Sequence, residues 1–214
     1  MSLRARFQDE MAEAMKLAFL ILAAAWVVGM TAPNATAAED AFKSEAGFVG
    51  LYNGTNLTGW SYRDREGKVT EVFDGKTEAT DKRYTAKPGV LVVNPQPEGA
   101  PRLRQLWTTR EFPKDFHLKL EFRAAVNADS GIFLRKPQLQ CRDYLVAGPY
   151  KALLKYRPQD WNEIEVVVKD GVARCTCNGE VLEGALKLPD TGPIGLEADR
   201  GQMEYRRIRI KELP

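Results

Sequence analysis

From Phe116 the chain alternates: Phe116, Leu118, Leu120, Phe122 and Ala124 are apolar, and His117, Lys119, Glu121 and Arg123 lie between them. Strict period-two alternation over nine residues predicts a strand with one face in a core and one in water. Ser130–Arg135 (SGIFLR) predicts a shorter strand after a turn region at Asn127–Asp129. Asn162–Lys169 is rich in β-branched residues and ends at Asp170-Gly171; Val172–Cys177 follows and ends at Asn178-Gly179, before Glu180–Leu182. Asp-Gly and Asn-Gly between strand-like runs are strong hairpin signals, so two in succession predict a meander. Ile194–Glu197 and Met203–Ile210 supply the last strands. In the final one the apolar phase shifts from Met203 and Tyr205 to Ile208 and Ile210, which predicts a β-bulge near Arg206-Arg207. Arg63–Lys87 breaks the pattern. It is polar with few apolar anchors, and is expected to be a long surface excursion. Short strands with frequent turn signals and no helical period predict an all-β fold, an antiparallel β-sandwich or barrel.

The N-terminal pattern is of another kind. Leu17–Met30 is a continuous apolar run, short for a transmembrane helix, with Lys16 before it and Ala35-Thr36-Ala37 after it. That is the layout of a secretory signal, with an uncleaved anchor as the alternative. The chain therefore divides into residues 1–38, an N-terminal extension and signal peptide, and 39–214, a single domain. The expected location is periplasmic or secreted, with no stable membrane anchor after cleavage. Roughly 175 residues suffice to close two stacked sheets around a core.

Composition narrows the classes further. With 44% hydrophobic and 28% charged residues, the 214-residue chain is too apolar to be disordered. A net charge of +2 argues against a nucleic-acid partner. Cys141, Cys175 and Cys177 are too few, and odd in number, for a disulfide scaffold. One bridge from Cys141 is possible, but three small buried thiols is the simpler expectation. His117 is the only histidine, so a zinc site or a Ser-His-Asp enzyme has little support. No cofactor is evident, and a divalent metal stays open.

Glu121 and Arg123 stand two apart on the polar face of the alternating strand, about 7 Å along the backbone. Arg135, Gln138 and Gln140 follow the next strand. Arginines and glutamines gathered on one sheet face offer the fixed donors and acceptors that a polyhydroxylated ligand needs. Glu121 and Arg123 can equally form a plain surface ion pair. Trp60, Trp107, Tyr144 and Tyr150 are candidates for stacking on sugar faces, although such residues are often buried. No phosphate-binding loop, nucleophile elbow or H-E-x-x-H motif is present.

Four separated stretches resemble the 3-keto-disaccharide hydrolase domain family. Gly47–Gly54 with Leu57–Trp60 is similar to its G-F-x-x-L-F-N-G-x-x-L-x-G-W opening. Asp115–Arg123 and Asp129–Arg135 are similar to its D-F-x-L-x-x-E-F-R…N-S-G-I-F-L-R block. Trp161-Asn162 with Asn178-Gly179 resembles its W-N…N-G region, and Gly192–Glu197 with Glu204–Arg206 its G-P-I-G-L-Q…E-F-R-N-I close.

The resemblance implies a concanavalin-like jelly roll that cleaves glycosides already oxidised at C3 of the sugar, so an oxidised disaccharide or glycoside is the expected partner. A C3 ketone acidifies the C2 proton; a base removes it, the C1 substituent is expelled, and water adds back. In this frame Glu121 is the expected acid/base and Asp199 the second titrating group. Arg123, Arg135, Gln138 and Gln140 are expected to bind the sugar. The chain departs from the family pattern in carrying Gln138 for a glutamate, Asp129 for an asparagine and Arg207 for an asparagine. Because an amide cannot exchange protons near neutrality, a non-catalytic, lectin-like carbohydrate-binding domain is the alternative. An envelope interaction module is a third reading.

Overall fold

The computed structural model describes residues 42–96, 104–146 and 149–214. The segment expected to be an export signal lies outside them. In chain order the strands are β1 (Val49–Gly50), β2 (Trp60–Arg63), β3 (Val69–Val72), β4 (Tyr84–Lys87), β5 (Val90–Val93), β6 (Leu106–Thr108) and β7 (Phe116–Ala124). Then come β8 (Gly131–Leu134), β9 (Gln138–Gln140), β10 (Asn162–Lys169), β11 (Val172–Cys177), β12 (Glu180–Lys187), β13 (Ile194–Leu196) and β14 (Met203–Glu212). One 3₁₀ turn, Pro149–Ala152, is the only helical element among the described residues.

Two antiparallel sheets form the sandwich. The larger runs β12-β11-β10-β7-β14-β5-β4, with β1 added against β14; the smaller runs β3-β2-β6-β13-β8-β9. The fold is the jelly roll that the strand pattern and the resemblance predict. Phe116, Leu118, Leu120 and Phe122 of β7 and Ile164 and Val166 of β10 are fully buried on the large sheet. Facing them, Trp60, Leu106, Ile132, Leu134, Ile194 and Leu196 are fully buried on the small one. Period two is what lets each strand give one row to the core and the other to a surface.

The meander forms as expected from the two dipeptides. Asp170 and Gly171 have φ of 50° and 71°, and Asn178 and Gly179 of 48° and 82°. A two-residue hairpin with both central residues left-handed matches the twist of its strands, which is why Asp-Gly and Asn-Gly occupy these sites. The predicted bulge is also present. Arg207 has φ of 53°, and β14 holds one extra residue against β7 between Arg206↔Glu121 and Arg209↔Lys119. The inserted residue turns the apolar phase over, so that Ile208 and Ile210 stay buried.

Arg63–Lys87 is not a surface excursion. It holds β3 and β4, each at an edge of a sheet, and Phe73, Ala79, Tyr84 and Ala86 in it are buried, while Val69 and Val72 of β3 are exposed. Polar side chains do part of the anchoring here. Asp81 accepts the Tyr62 hydroxyl at 2.6 Å, and Arg83 donates to the Ala198 carbonyl at 2.9 Å. Such inward hydrogen bonds leave no hydrophobic period to read. Cys141, Cys175 and Cys177 are free, buried thiols.

The segment before β1 is tied down by charge. Glu45 accepts from Arg209 Nε at 2.6 Å and Nη2 at 2.8 Å, and Arg209 is itself buried. The hydrogen bonds from Arg209 hold the Glu45 carboxyl down at about 2. A depressed carboxyl gives stability that is present above its ordinary value of 4.5 and is lost as pH falls toward 2. In that window the amides of Phe48 and Leu51, bonded to Glu45 and Ile208 carbonyls, are expected to exchange faster while β7 stays protected. Uniform protection down to pH 2 in a hydrogen-exchange series would contradict this.

Candidate functional site

The outward faces of the two sheets differ in kind. On the large sheet, β7, β10 and β14 present a ladder of paired charges. Glu121 accepts from Arg206 Nε at 2.6 Å and Arg207 Nη1 at 2.8 Å. Arg123 is paired to Glu204, and His117 Nε2 lies 2.7 Å from Glu165. The Arg206 and Arg123 guanidiniums lie 4.1 and 4.7 Å from the Trp161 ring centroid. Each charge meets an opposite charge or an aromatic face.

The small sheet is open by comparison. The register Ser61↔Trp107, Trp107↔Gly195, Gly195↔Phe133 and Phe133↔Gln138 lays one row across β2, β6, β13, β8 and β9. Trp107, Phe133 and Gln138 alternate with buried neighbours, so the row faces outward, although Ser61 and Gly195 within it are themselves buried. Two glycines shape it. A Cβ at Gly195 would lie 2.5 Å from the Trp107 ring, so the indole lies flat over β13 only because Gly195 has no side chain. Phe133 meets that indole at 5.0 Å between centroids, tilted by 40°. Gly131 leaves equivalent space for Gln138.

Glu197, two residues beyond Gly195, continues β13 and donates its amide to the Gly131 carbonyl at 2.9 Å. Its side chain therefore points to the same face as the aromatic pair. Gln138 Nε2 donates to Glu197 Oε2. Burial, then the charges of Asp199 and Asp129, raise this carboxyl from 4.5 to about 7, against the lowering effect of the Gln138 hydrogen bond. Asp129 is held by Arg142 at 3.0 Å. A half-buried carboxyl that titrates near neutrality can both take and return a proton. Among the described residues no group of three or more His, Cys, Asp or Glu side chains is disposed to hold a metal ion.

The residues singled out from the sequence do not form one constellation. Glu121 and Arg123 are on β7, facing out from the large sheet, whereas Gln138, Gln140 and Asp199 belong to the opposite side of the sandwich. Packed sheets lie about 10 Å apart with a filled core between them, so no one ligand reaches both groups. Glu121 also has both oxygens occupied by guanidiniums. Arg135, at φ of 65°, turns its buried guanidinium to the carbonyls of Pro189 at 2.6 Å and Lys114 at 2.7 Å; it ties loops together. Of the four aromatic candidates, Trp60, Tyr144 and Tyr150 are buried and only Trp107 faces outward. Gln138, Gln140 and Asp199 do come together, around a residue the sequence reading passed over. Period two from Gly195 marks Glu197 as outward-facing, and that was its only local signal.

Gly131→Ala is a sharp probe of this arrangement. Its Cβ would lie 2.2 Å from Gln138 Nε2, and a flexible side chain yields to such a clash. With the Gln138 hydrogen bond gone, the Glu197 titration is expected to move upward with little change in Tm, as read by carboxyl-carbon NMR. An unmoved titration in the folded variant would show that Gln138 does not tune Glu197.

The described fold is similar to solved structures. A candidate glycosyl hydrolase from Parabacteroides distasonis is 18% identical, with a TM-score of 0.59 over 78% of this chain and 95% of its own. A second from the same organism is 17% identical, with a TM-score of 0.49 over 64% of this chain and 93% of its own. At such identities the first likeness speaks for the fold alone. Comparison with curated proteins finds no match. The family model of the 3-keto-alpha-glucoside-1,2-lyase-like domain matches residues 47–211, which takes in both sheets, the aromatic row and Glu197, and the chain belongs to that family.

Proposed function

We propose that this protein is an exported enzyme that cleaves 3-keto-glycosides, with Glu197 as the base. The observation that carries the reading is the Glu197 carboxyl, raised to about 7 on an open sheet face beside an aromatic row. Membership in a family described by its 3-keto-glucoside chemistry supports the substrate class.

The residues present suit an elimination. Glu197 takes the C2 proton of a sugar whose C3 ketone accepts the electron pair as an enolate. The enolate then expels the C1 oxygen substituent and forms a C1–C2 double bond; the departing oxygen gains a proton from water. Water adds at C1, and Glu197 returns its proton to C2, so the net change is hydrolysis. Gln138 fixes the carboxylate, and Gln140, outward-facing on the same strand, offers an amide to the sugar. Asp199 and Asp129 act on Glu197 by charge and keep its proton affinity in the useful range. The test is sugar release from 3-keto-trehalose and 3-keto-lactose by the mature chain, with and without chelator. No release, with saturable binding of both sugars, would replace this reading by the lectin-like one.

A further inference from the structure

Next to Glu197 the same sheet face opens into a groove of about 1070 Å³ that the proton transfer does not use. Its floor is the Trp107 and Phe133 pair, extended by Pro189 and Pro193. Its walls carry more cations than carboxylates; Arg63 pairs with Glu111 there, and Arg104 pairs with Glu71 at its edge, at 3.8 Å. The Arg104 guanidinium is held 3.8 Å from the Tyr62 ring centroid and donates from Nη2 to the Thr70 hydroxyl at 3.4 Å, so it is a fixed flat donor rather than a mobile one. Neutral hydrogen-bonding side chains are scarce: Gln105 and Thr191 are the ones lining the groove. A flat apolar ring with an acidic substituent needs an aromatic face and a cation, and the Trp107 indole and the groove's arginines supply them.

We infer that this groove is the leaving-group subsite and that it accepts an aryl aglycone bearing an acidic group; the first half rests on the proposed chemistry at Glu197, the second on the groove alone. Gly195 and Glu197 are two residues apart on one strand, about 7 Å, so a ring lying on Trp107 sits within one bond or two of a sugar presented to Glu197. An aryl oxide also leaves more easily than an alkoxide. That suits a site whose only raised carboxyl is already committed to the C2 proton.

Two measurements separate the halves. Calorimetric titration of the mature chain with 4-hydroxybenzoate should show saturable binding, weakened roughly tenfold in Trp107→Ala, kept within about threefold in Trp107→Phe, and weakened severalfold in Arg104→Gln. Cyclohexanecarboxylate, which lacks the aromatic face, should bind at least several times more weakly. In turnover, 4-carboxyphenyl 3-keto-α-glucoside should show a KM about tenfold below that of 3-keto-trehalose, and Trp107→Ala should erase the difference. No binding of 4-hydroxybenzoate, or binding indifferent to Trp107, overturns the inference even if 3-keto-trehalose is cleaved. Trp107-dependent binding without cleavage of any 3-keto-glycoside keeps the aryl site and overturns its role beside Glu197.

Discussion

Glu197→Gln is expected to lower kcat on 3-keto-glycosides by at least about 10³-fold while the variant folds normally, since the replacement removes the proton acceptor and keeps the shape. The wild-type rate should rise with pH through an apparent value near 7, set by burial and by the charges of Asp199 and Asp129. The stability consequence has the opposite sign. Glu197 binds its proton more tightly in the fold than in the unfolded chain, so its contribution is fully present below 4.5 and is lost as pH rises through about 7. Glu197→Gln has no such loss. Its unfolding free energy should match the wild type near pH 4 and exceed it at pH 8, by on the order of 1 kcal/mol once solvent screening of this half-exposed carboxyl is allowed for. A folded Glu197→Gln variant with wild-type turnover would remove Glu197 from the chemistry.

Glu121→Leu is expected to do the reverse. The carboxylate sits between Arg206 and Arg207, with side chains only 14%, 17% and 28% exposed respectively. Removing it takes the carboxylate away from two partly buried guanidiniums. Breaking a partly buried pair of this kind costs about 1–3 kcal/mol, which urea denaturation would read directly. Turnover by the folded fraction should stay within about twofold, because the charge ladder is on the far side of the core from Glu197. If Glu121→Leu, or the milder Glu121→Gln, folds and loses turnover, the site belongs on the large sheet. The two substitutions together form a crossed test, since each sheet face predicts the opposite pattern of activity and stability.

The contrast between these glutamates shows where sequence reasoning stops. Glu121 is conspicuous because it sits in the cleanest alternation in the chain, next to Arg123. Alternation tells which residues face away from the core, yet a sandwich has two such faces, and only the pairing of strands says which is which. β7 pairs with β10 and β14, and β13 with β6 and β8. Those partners are far apart in sequence. The same limit hid the relation between Gln138 and Glu197, 59 residues apart and hydrogen-bonded across the intervening β8. In the motifs this chain resembles, the first position carries glutamate and the second glutamine. Here the amide and the carboxylate have changed places, and the pair retains one of each. Taken singly, Gln138 reads as the loss of a catalytic carboxylate.

What depends on short-range covalent geometry was determined by the sequence itself: the nine-residue alternation of β7, the left-handed turns at Asp170-Gly171 and Asn178-Gly179, and the bulge that Arg207 inserts into β14. Each follows from dihedral preference and period two, which act within a few residues. The tertiary structure alone decided which outward face holds the proposed site. It buried Trp60 and Tyr144, left Trp107 over Gly195, and turned Arg135 onto backbone carbonyls. It also brought Glu197, Asp199 and Asp129 within electrostatic reach of one another. Those outcomes rest on contacts between strands distant in the chain, and the raised Glu197 carboxyl exists only where such contacts exclude water and gather like charges.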